Sequence, residues 1–158
     1  MTRIDNLPEN LTANWLRFDQ LSNHDVHDLL RLRQNIFILE QNSLYADIDG
    51  KDPEALHLMI RNRHTGELVG AIRLFADLKN GEARIGRVVI AQEGRGGGLG
   101  RLMMEAGIDE ARRQVPGCRI HVSAQAYLEN FYGSLGFETV SEVYIEDGIP
   151  HIDMIRSG

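Results

Sequence analysis

The chain has 158 residues, of which 42% are hydrophobic and 25% charged, and its 17 basic and 23 acidic residues give a formal net charge of −6. A chain of that length buries a core as one domain without disulfide or metal staples, its composition excludes wholesale disorder, and its acidity argues against a general nucleic-acid binder. No run reaches the ~18 apolar residues of a membrane span, residues 1–6 lack the apolar core of a secretory signal, and Cys118 is the only cysteine, so the expected setting is a reducing cytoplasm.

Residues 1 to about 13 carry Pro8 among scattered polar residues and read as a loose leader before a single domain over 14–158. Asn14 to Phe18 alternates as a short strand does. Ser22 followed by Asp25 is a capping-box variant opening a helix over about 23–38, and the acidic stretch 41–54 has no period and reads as a loop. Leu56–Ile60, Leu68–Leu74 and Arg84–Ile90 are strands, the last two joined by the hairpin pair Asn80-Gly81. Leu99, Leu102, Met103 and Ala106 mark one face of a helix running to about Gln114, which Pro116-Gly117 ends. Arg119–Ala124 is a further strand, Tyr127–Leu135 a short helix capped by Gly136, and 137–145 with 150–155 a final hairpin. These elements make one α/β domain with a mixed, mostly antiparallel central sheet flanked by helices.

Charge is unevenly spread. Glu40, Asp47, Asp49, Asp52 and Glu54 crowd one stretch, and 138–153 holds five acids without a Lys or Arg. Between them, Arg84 to Arg119 carries seven arginines against four acids. An anionic ligand suits that basic middle third, and a cationic acceptor would suit the acidic stretches if they face it.

The middle third contains Arg95-Gly96-Gly97-Gly98-Leu99-Gly100-Arg101 between a Val/Ile-rich strand and an amphipathic helix. Three glycines let the backbone turn with its N–H groups inward, and the first helical turn adds free donors at the positive end of the dipole. The result is a pyrophosphate cradle with two arginines beside it. The Walker pattern fails, because Gly100 is followed by Arg-Leu, and so does Gly-x-Gly-x-x-Gly in either register.

Arg95-x-x-Gly98-x-Gly100 after Val88-Val89-Ile90 is similar to the acetyl-CoA signature of the GNAT N-acetyltransferases, and Tyr132 before Gly136-Phe137 resembles the family's second signature. Leu30-Arg31-Leu32-Arg33, Phe37-x-x-Glu40-Gln41, Tyr45-x-Asp47-x-Asp49-Gly50, Ile85-Gly86-Arg87-Val88, Ala124-Gln125-Ala126 and Val143 to His151 resemble the ElaA-type members over about residues 14–156. Ser43-Leu44 and Tyr127 depart from that pattern, which has Cys-Pro and His there. The resemblance implies a GNAT domain over 14–158 that transfers acetyl from acetyl-CoA directly to an amine, small or peptidyl. In it Val88, Val89, Ile90, Arg95, Gly96, Gly97, Gly98, Leu99, Gly100 and Arg101 hold the CoA, with Asn130 and Ser134 as further contacts. A backbone N–H near Val89 polarises the thioester, and Tyr132 protonates the leaving thiolate. Partners are acetyl-CoA and the amine, with a homodimer left open and neither nucleic acid nor membrane involved.

On the acceptor side Glu40 is a candidate base or ammonium contact, and His57 and His151 are each a base or a structural histidine. Arg73, in an apolar strand, needs a partner, either Glu40 or an acceptor carboxylate. Cys118 reads as a small buried residue. The run Asp47-x-Asp49-Gly50-x-Asp52 fails as an EF-hand, because Leu58 stands where the twelfth-position Glu belongs, and no zinc spacing is present, so no metal is expected. The alternative to an enzyme is a non-catalytic acyl-CoA-binding or regulatory protein on the same fold; an acyltransferase with another donor or nucleophile is a third reading.

Overall fold

The computed structural model describes residues 4–157; the first three residues of the leader lie outside them. Eight strands form one sheet: β1 (Leu11–Arg17), β2 (Leu56–Asn62), β3 (Leu68–Asp77), β4 (Glu82–Ile90), β5 (Arg119–Gln125), β6 (Glu138–Thr139), β7 (Tyr144–Glu146) and β8 (Ile149–Ser157). Their spatial order is β1-β2-β3-β4-β5-β8-β6, with β7 also on β8. Every pairing is antiparallel except β4 with β5, as expected for a mixed sheet built from successive hairpins. Helix α1 (Asn23–Arg33) packs on one face; α2 (Leu99–Gln114) and α3 (Glu129–Ser134) lie on the other.

The two faces hold separate cores. Met103, Met104, Ala106, Ile108 and Ala111 of α2 pack on Ile72, Leu74, Ile85, Ile120 and Val122. Gly107 permits that close approach, since a Cβ there would lie 2.9 Å from the methyl groups of both Ile72 and Ile85. Leu29, Leu32 and Ile36 meet Met59, Ala71, Val89 and Ala91 on the opposite face. Cys118 is fully buried, its thiol pushed up by that burial. No helix among the described residues is long and apolar enough to cross a membrane.

The first strand begins three residues before the alternation suggests. Leu11 and Ala13 are buried and Leu11 pairs with Asn62, so part of the leader is sheet. The first helix runs beyond Arg33 as a seven-residue π-helix, Gln34–Glu40. Gln41 N and Ser43 N donate to Ile36 O and Ile38 O, each five residues back, a widened turn that is rare outside functional sites. The strand expected over 137–145 is split into β6 and β7, which pair with separate parts of β8. Asp147 and Gly148 both have positive φ, so a two-residue turn of primed type joins β7 to β8. Gly136 follows α3 at φ +92° and donates to Gly133 O, the expected cap.

Two irregularities make the site. Glu82, Ala83 and Arg84 pair with Arg119, Ile120 and His121, and beyond this the two parallel strands part. In the same stretch β4 bulges: Arg73 lies opposite Gly86 but Ala71 opposite Val89, and Arg87 sits at φ +50°. One extra residue exchanges the faces of a strand. Arg84 and Gly86 before the bulge, and Arg87 and Val89 after it, therefore all face α1.

Ser22 Oγ accepts from Asp25 N while Asp25 accepts from Ser22 N, closing the capping box that the sequence predicts. Ser22→Ala should cost about 1 kcal/mol in urea denaturation, with the m-value unchanged.

Candidate active site

A cavity of about 700 Å³ opens where β4 and β5 separate. Phe75, Arg84, Ser123, Gln125 and His151 line it from the α1 face, while Ile85, Val122, Leu128 and Tyr132 line it from the α2 face. It passes through the sheet. The loop after the π-helix, with Gln41, Ser43, Tyr45 and Asp49, and the tip of the β7–β8 hairpin complete the wall. Ser43 Oγ donates to Asp147 O at 2.6 Å and joins these two coverings.

That loop is held by charge. Asp47, Asp49 and Asp52 meet Arg33 of α1, Arg73 of β3 and Arg87 of β4 in a closed ring in which every carboxylate bridges two guanidiniums. Arg33 reaches Asp47 at 2.9 Å and Asp52 at 2.8 Å. Arg73 donates to both oxygens of Asp49, at 2.8 and 2.9 Å, and to Asp52 at 3.0 Å. Arg87 Nε lies 2.8 Å from Asp47 without hydrogen-bond geometry; its Nη2 donates to Asp47 O at 3.1 Å and to Asp49 at 3.4 Å. Three cations and three anions cancel. Arg73 therefore finds partners in Asp49 and Asp52, not in Glu40, although it also reaches the cavity wall. Among the described residues no His, Cys, Asp or Glu cluster could hold a metal.

Two of the predicted catalytic groups sit elsewhere. His57 is 1% exposed and off the cavity wall. Its Nε2 lies 2.9 Å from Asp52 O, a pure acceptor, so Nε2 carries the hydrogen. Burial pushes its pKa down, and the ring supports the loop as a neutral donor. Glu40 is also outside the cavity. One of its oxygens accepts from Arg95 and the other from Gln92, each at 2.7 Å, and the bond from Arg95 holds its carboxyl below the ordinary value. It ties the π-helix to the glycine loop. The expectation that the stretch 40–54 attracts a cation therefore falls, because four of its five acids are matched by arginines.

His151 and Tyr132 do reach the cavity. His151 Nδ1 lies 2.7 Å from Ile149 O, so Nδ1 bears the hydrogen and Nε2 is the acceptor of the neutral ring. Tyr132 is 6% exposed and packs edge-on against Phe131 and Phe137, with ring centroids 5.2 and 5.8 Å away. Burial, with a smaller contribution from Tyr127, pushes its phenol up to about 12.

Of the residues expected at the nucleotide, Val88 lines the cavity. Val89 turns its side chain into the α1 core, leaving only its backbone for a ligand. Ile90 supports the loop: a Cβ on Gly94 or Gly100 would meet its methyl groups at 3.2 and 3.4 Å. Gly96 and Gly98 have φ of +88° and +76°, and a Cβ on Gly96, Gly97 or Gly98 would meet nothing within 4 Å. Gly98 is the N-cap of α2 and no side chain caps it, so the N–H groups of Leu99, Gly100 and Arg101 lack a helical partner, the first helical bond being Leu102 N to Gly98 O. Arg101 reaches Ser134 Oγ on α3 and Asn130 is exposed on the same helix, which places the cradle beside Tyr132's helix. A glycine turn that feeds uncapped N–H groups at a helix start suits a pyrophosphate.

A family model described as an acetyltransferase (GNAT) domain matches residues 32–157. The chain belongs to the GNAT acetyltransferase family. Escherichia coli ElaA is 39% identical over 142 residues, 89% of this chain and 93% of ElaA. A UPF0039 protein of Synechocystis is 39% identical over 143 residues, 90% of this chain and 92% of its own. A solved acyl-CoA N-acyltransferase from Pseudomonas aeruginosa superposes with a TM-score of 0.87 at 38% identity, covering 93% of this chain and 99% of that one. The structure of ElaA does so at 0.85 and 36% identity, with the same coverage.

The arginine–aspartate ring escaped the sequence reading, though it left a signal. Three acids at two- and three-residue spacing lacked a metal, and three arginines stood in otherwise buried elements without partners. Arg33→Ala should cost about 3–5 kcal/mol in denaturant melts, since it leaves three buried carboxylates against two guanidiniums, whereas Arg33→Met with Asp52→Asn, which removes one charge of each sign, should cost less. The two hydrogen bonds from Arg73 hold Asp49 well below the carboxylate range; burial raises Asp52, but Arg33 and Arg73 outweigh it and its net shift is downward. Depressed carboxylates stabilise the fold above their unfolded-state value of about 3.9, and that contribution is lost as pH falls through the lower folded value. Urea midpoints should therefore drop steadily below about pH 4, and Asp49→Asn should flatten that drop.

Proposed function

We propose that this GNAT protein is an N-acetyltransferase that passes acetyl from acetyl-CoA directly to an amine. The observation that carries the reading is the cavity through the sheet, with the glycine cradle and Tyr132 toward one face and His151 on the other. Donor and acceptor then meet from opposite sides, with the pantetheine arm between the parted strands β4 and β5.

Backbone at Val88 and Val89, just past the bulge, suits the thioester carbonyl, where an N–H stabilises developing negative charge. The amine nitrogen attacks the carbonyl carbon, and the C–N bond forms as the C–S bond breaks. The electron pair passes to sulfur, which takes the proton of the Tyr132 hydroxyl. His151 Nε2 receives the proton lost by the amine and passes it to solvent, and the Tyr132 phenolate regains a proton from solvent as the products leave. Burial keeps Tyr132 protonated at every working pH, so it imposes no basic limb near neutrality. The acetyl-CoA cradle comprises Gly96–Arg101, with Arg95, Asn130 and Ser134 beside it.

Acetyl-CoA and CoA should raise the melting temperature, with stabilisation approaching about 2.7 kcal/mol at a hundredfold excess over Kd; no rise overturns the cradle assignment. In a thiol-release assay over a panel of amines, Tyr132→Phe should lower kcat by about a hundredfold with KM for acetyl-CoA little changed. Equal turnover would remove the tyrosine from the chemistry. His151→Gln should lower kcat for the amine with KM for acetyl-CoA little changed, and equal turnover would remove the histidine from the chemistry.

A further inference from the structure

With the arginine–aspartate ring closed on itself, the cavity wall retains four charges that the ring does not use. Lys51 and Arg84 form no salt bridge among the described residues, and neither does Asp147; Glu146 has only His151, at 3.8 Å. Arg84 gives one hydrogen bond, to the neutral Ser123 Oγ at 3.3 Å. Arg84 and the acidic pair lie at different levels along the strands. Arg84 pairs with His121, at the level where β4 and β5 begin to part, and is the cross-strand neighbour of Phe75. Glu146 and Asp147 lie at the hairpin tip, past the level of Gln125, which pairs with His151. Four residues of β5 separate those levels, about 13 Å of strand, which side-chain reach shortens.

We propose that the acceptor is a dipolar molecule, an amine with a carboxylate at its far end, of the length of a short peptide. Its carboxylate sits against Arg84 and Lys51, and its ammonium group is drawn to Glu146 and Asp147, beside His151 Nε2. A guanidinium that makes no salt bridge of its own is the stronger, forked half of this recognition, its one partner Ser123 Oγ being bonded onward to Asp153. A free α-amino acid is too short to touch both poles; three extended residues span about 10 Å. The proposal rests on the acetyltransferase reading for its chemistry, but the poles themselves are a property of the cavity.

Triglycine and triglycine amide, which differ only in the terminal charge, are the probes. With acetyl-CoA in a thiol-release assay, the acid should exceed the amide in kcat/KM by about tenfold or more, the discrimination expected of a charged hydrogen bond. Arg84→Gln combined with Lys51→Gln should bring that ratio to about one. Glu146→Gln with Asp147→Asn should raise KM for both peptides. Equal kcat/KM for acid and amide in the native protein, or a ratio unmoved by the Arg84 and Lys51 changes, overturns the proposal. If neither peptide releases thiol while acetyl-CoA still raises the melting temperature, the enzyme reading has failed and the poles are read by calorimetry on the CoA complex. Tighter binding of the acid, lost in the double variant, upholds them; equal or absent binding overturns them.

Discussion

Six side chains bind the active half of this molecule together. Arg33, Arg73 and Arg87 come from a helix and two strands, and Asp47, Asp49 and Asp52 from one loop, and each carboxylate joins two arginines. Burying such charges is costly, and an apolar substitute of equal volume often does as well for stability alone. What the ring contributes is register. Only one placement of the loop satisfies all three arginines, and in that placement Ser43, Tyr45 and Asp49 roof the cavity. His57, neutral under the loop, and Ser43, bonded to the opposing hairpin, extend the same support.

The cavity follows from the single parallel pairing in the sheet. Antiparallel neighbours stay hydrogen-bonded along the rest of the sheet, but β4 and β5 pair over three residues and then part. The bulge at Gly86–Val88 widens the opening and turns Arg87 toward the ring while Val88 faces the gap. A passage through a sheet, rather than a groove along one face, lets two reactants approach one bond from opposite sides. It also separates the electrostatics. The glycine loop at the α2 N-terminus lies toward one face, and the cavity-lining charges of Arg84, Glu146 and Asp147 lie outside the arginine–aspartate ring.

Much of this was readable along the chain. Periodicity placed α2, β5 and β8 closely, because each has a one-sided apolar pattern against a single core, and β2 and β4, which feed both cores, were legible as short apolar runs. The glycine loop and the Tyr132 helix stood out along the chain because each is a short motif of particular residue types at close spacing. The start of β1 was not, since Leu11 and Ala13 become inward-facing only through pairing with β2. The π-helix was not either; its widened turns answer to the loop it feeds, and residue preference carries no mark of them. Glu40 and His57 stand off the cavity wall for a shared reason. A carboxylate or an imidazole advertises chemistry in a sequence, but whether it acts or supports depends on the neighbours it acquires, here Arg95 and Gln92 for one and the Asp52 carbonyl for the other.

The net charge of −6 illustrates the division. By itself the sequence determined one α/β domain, its family, a basic glycine-rich middle third and two acidic stretches, because local composition, periodicity and short motifs are properties of neighbouring residues. Only the tertiary structure decided which charges remain available. Coulomb interactions and desolvation act through space, so the first acidic stretch is cancelled by arginines up to about fifty residues distant in the chain, and the tip of the last hairpin keeps its charge.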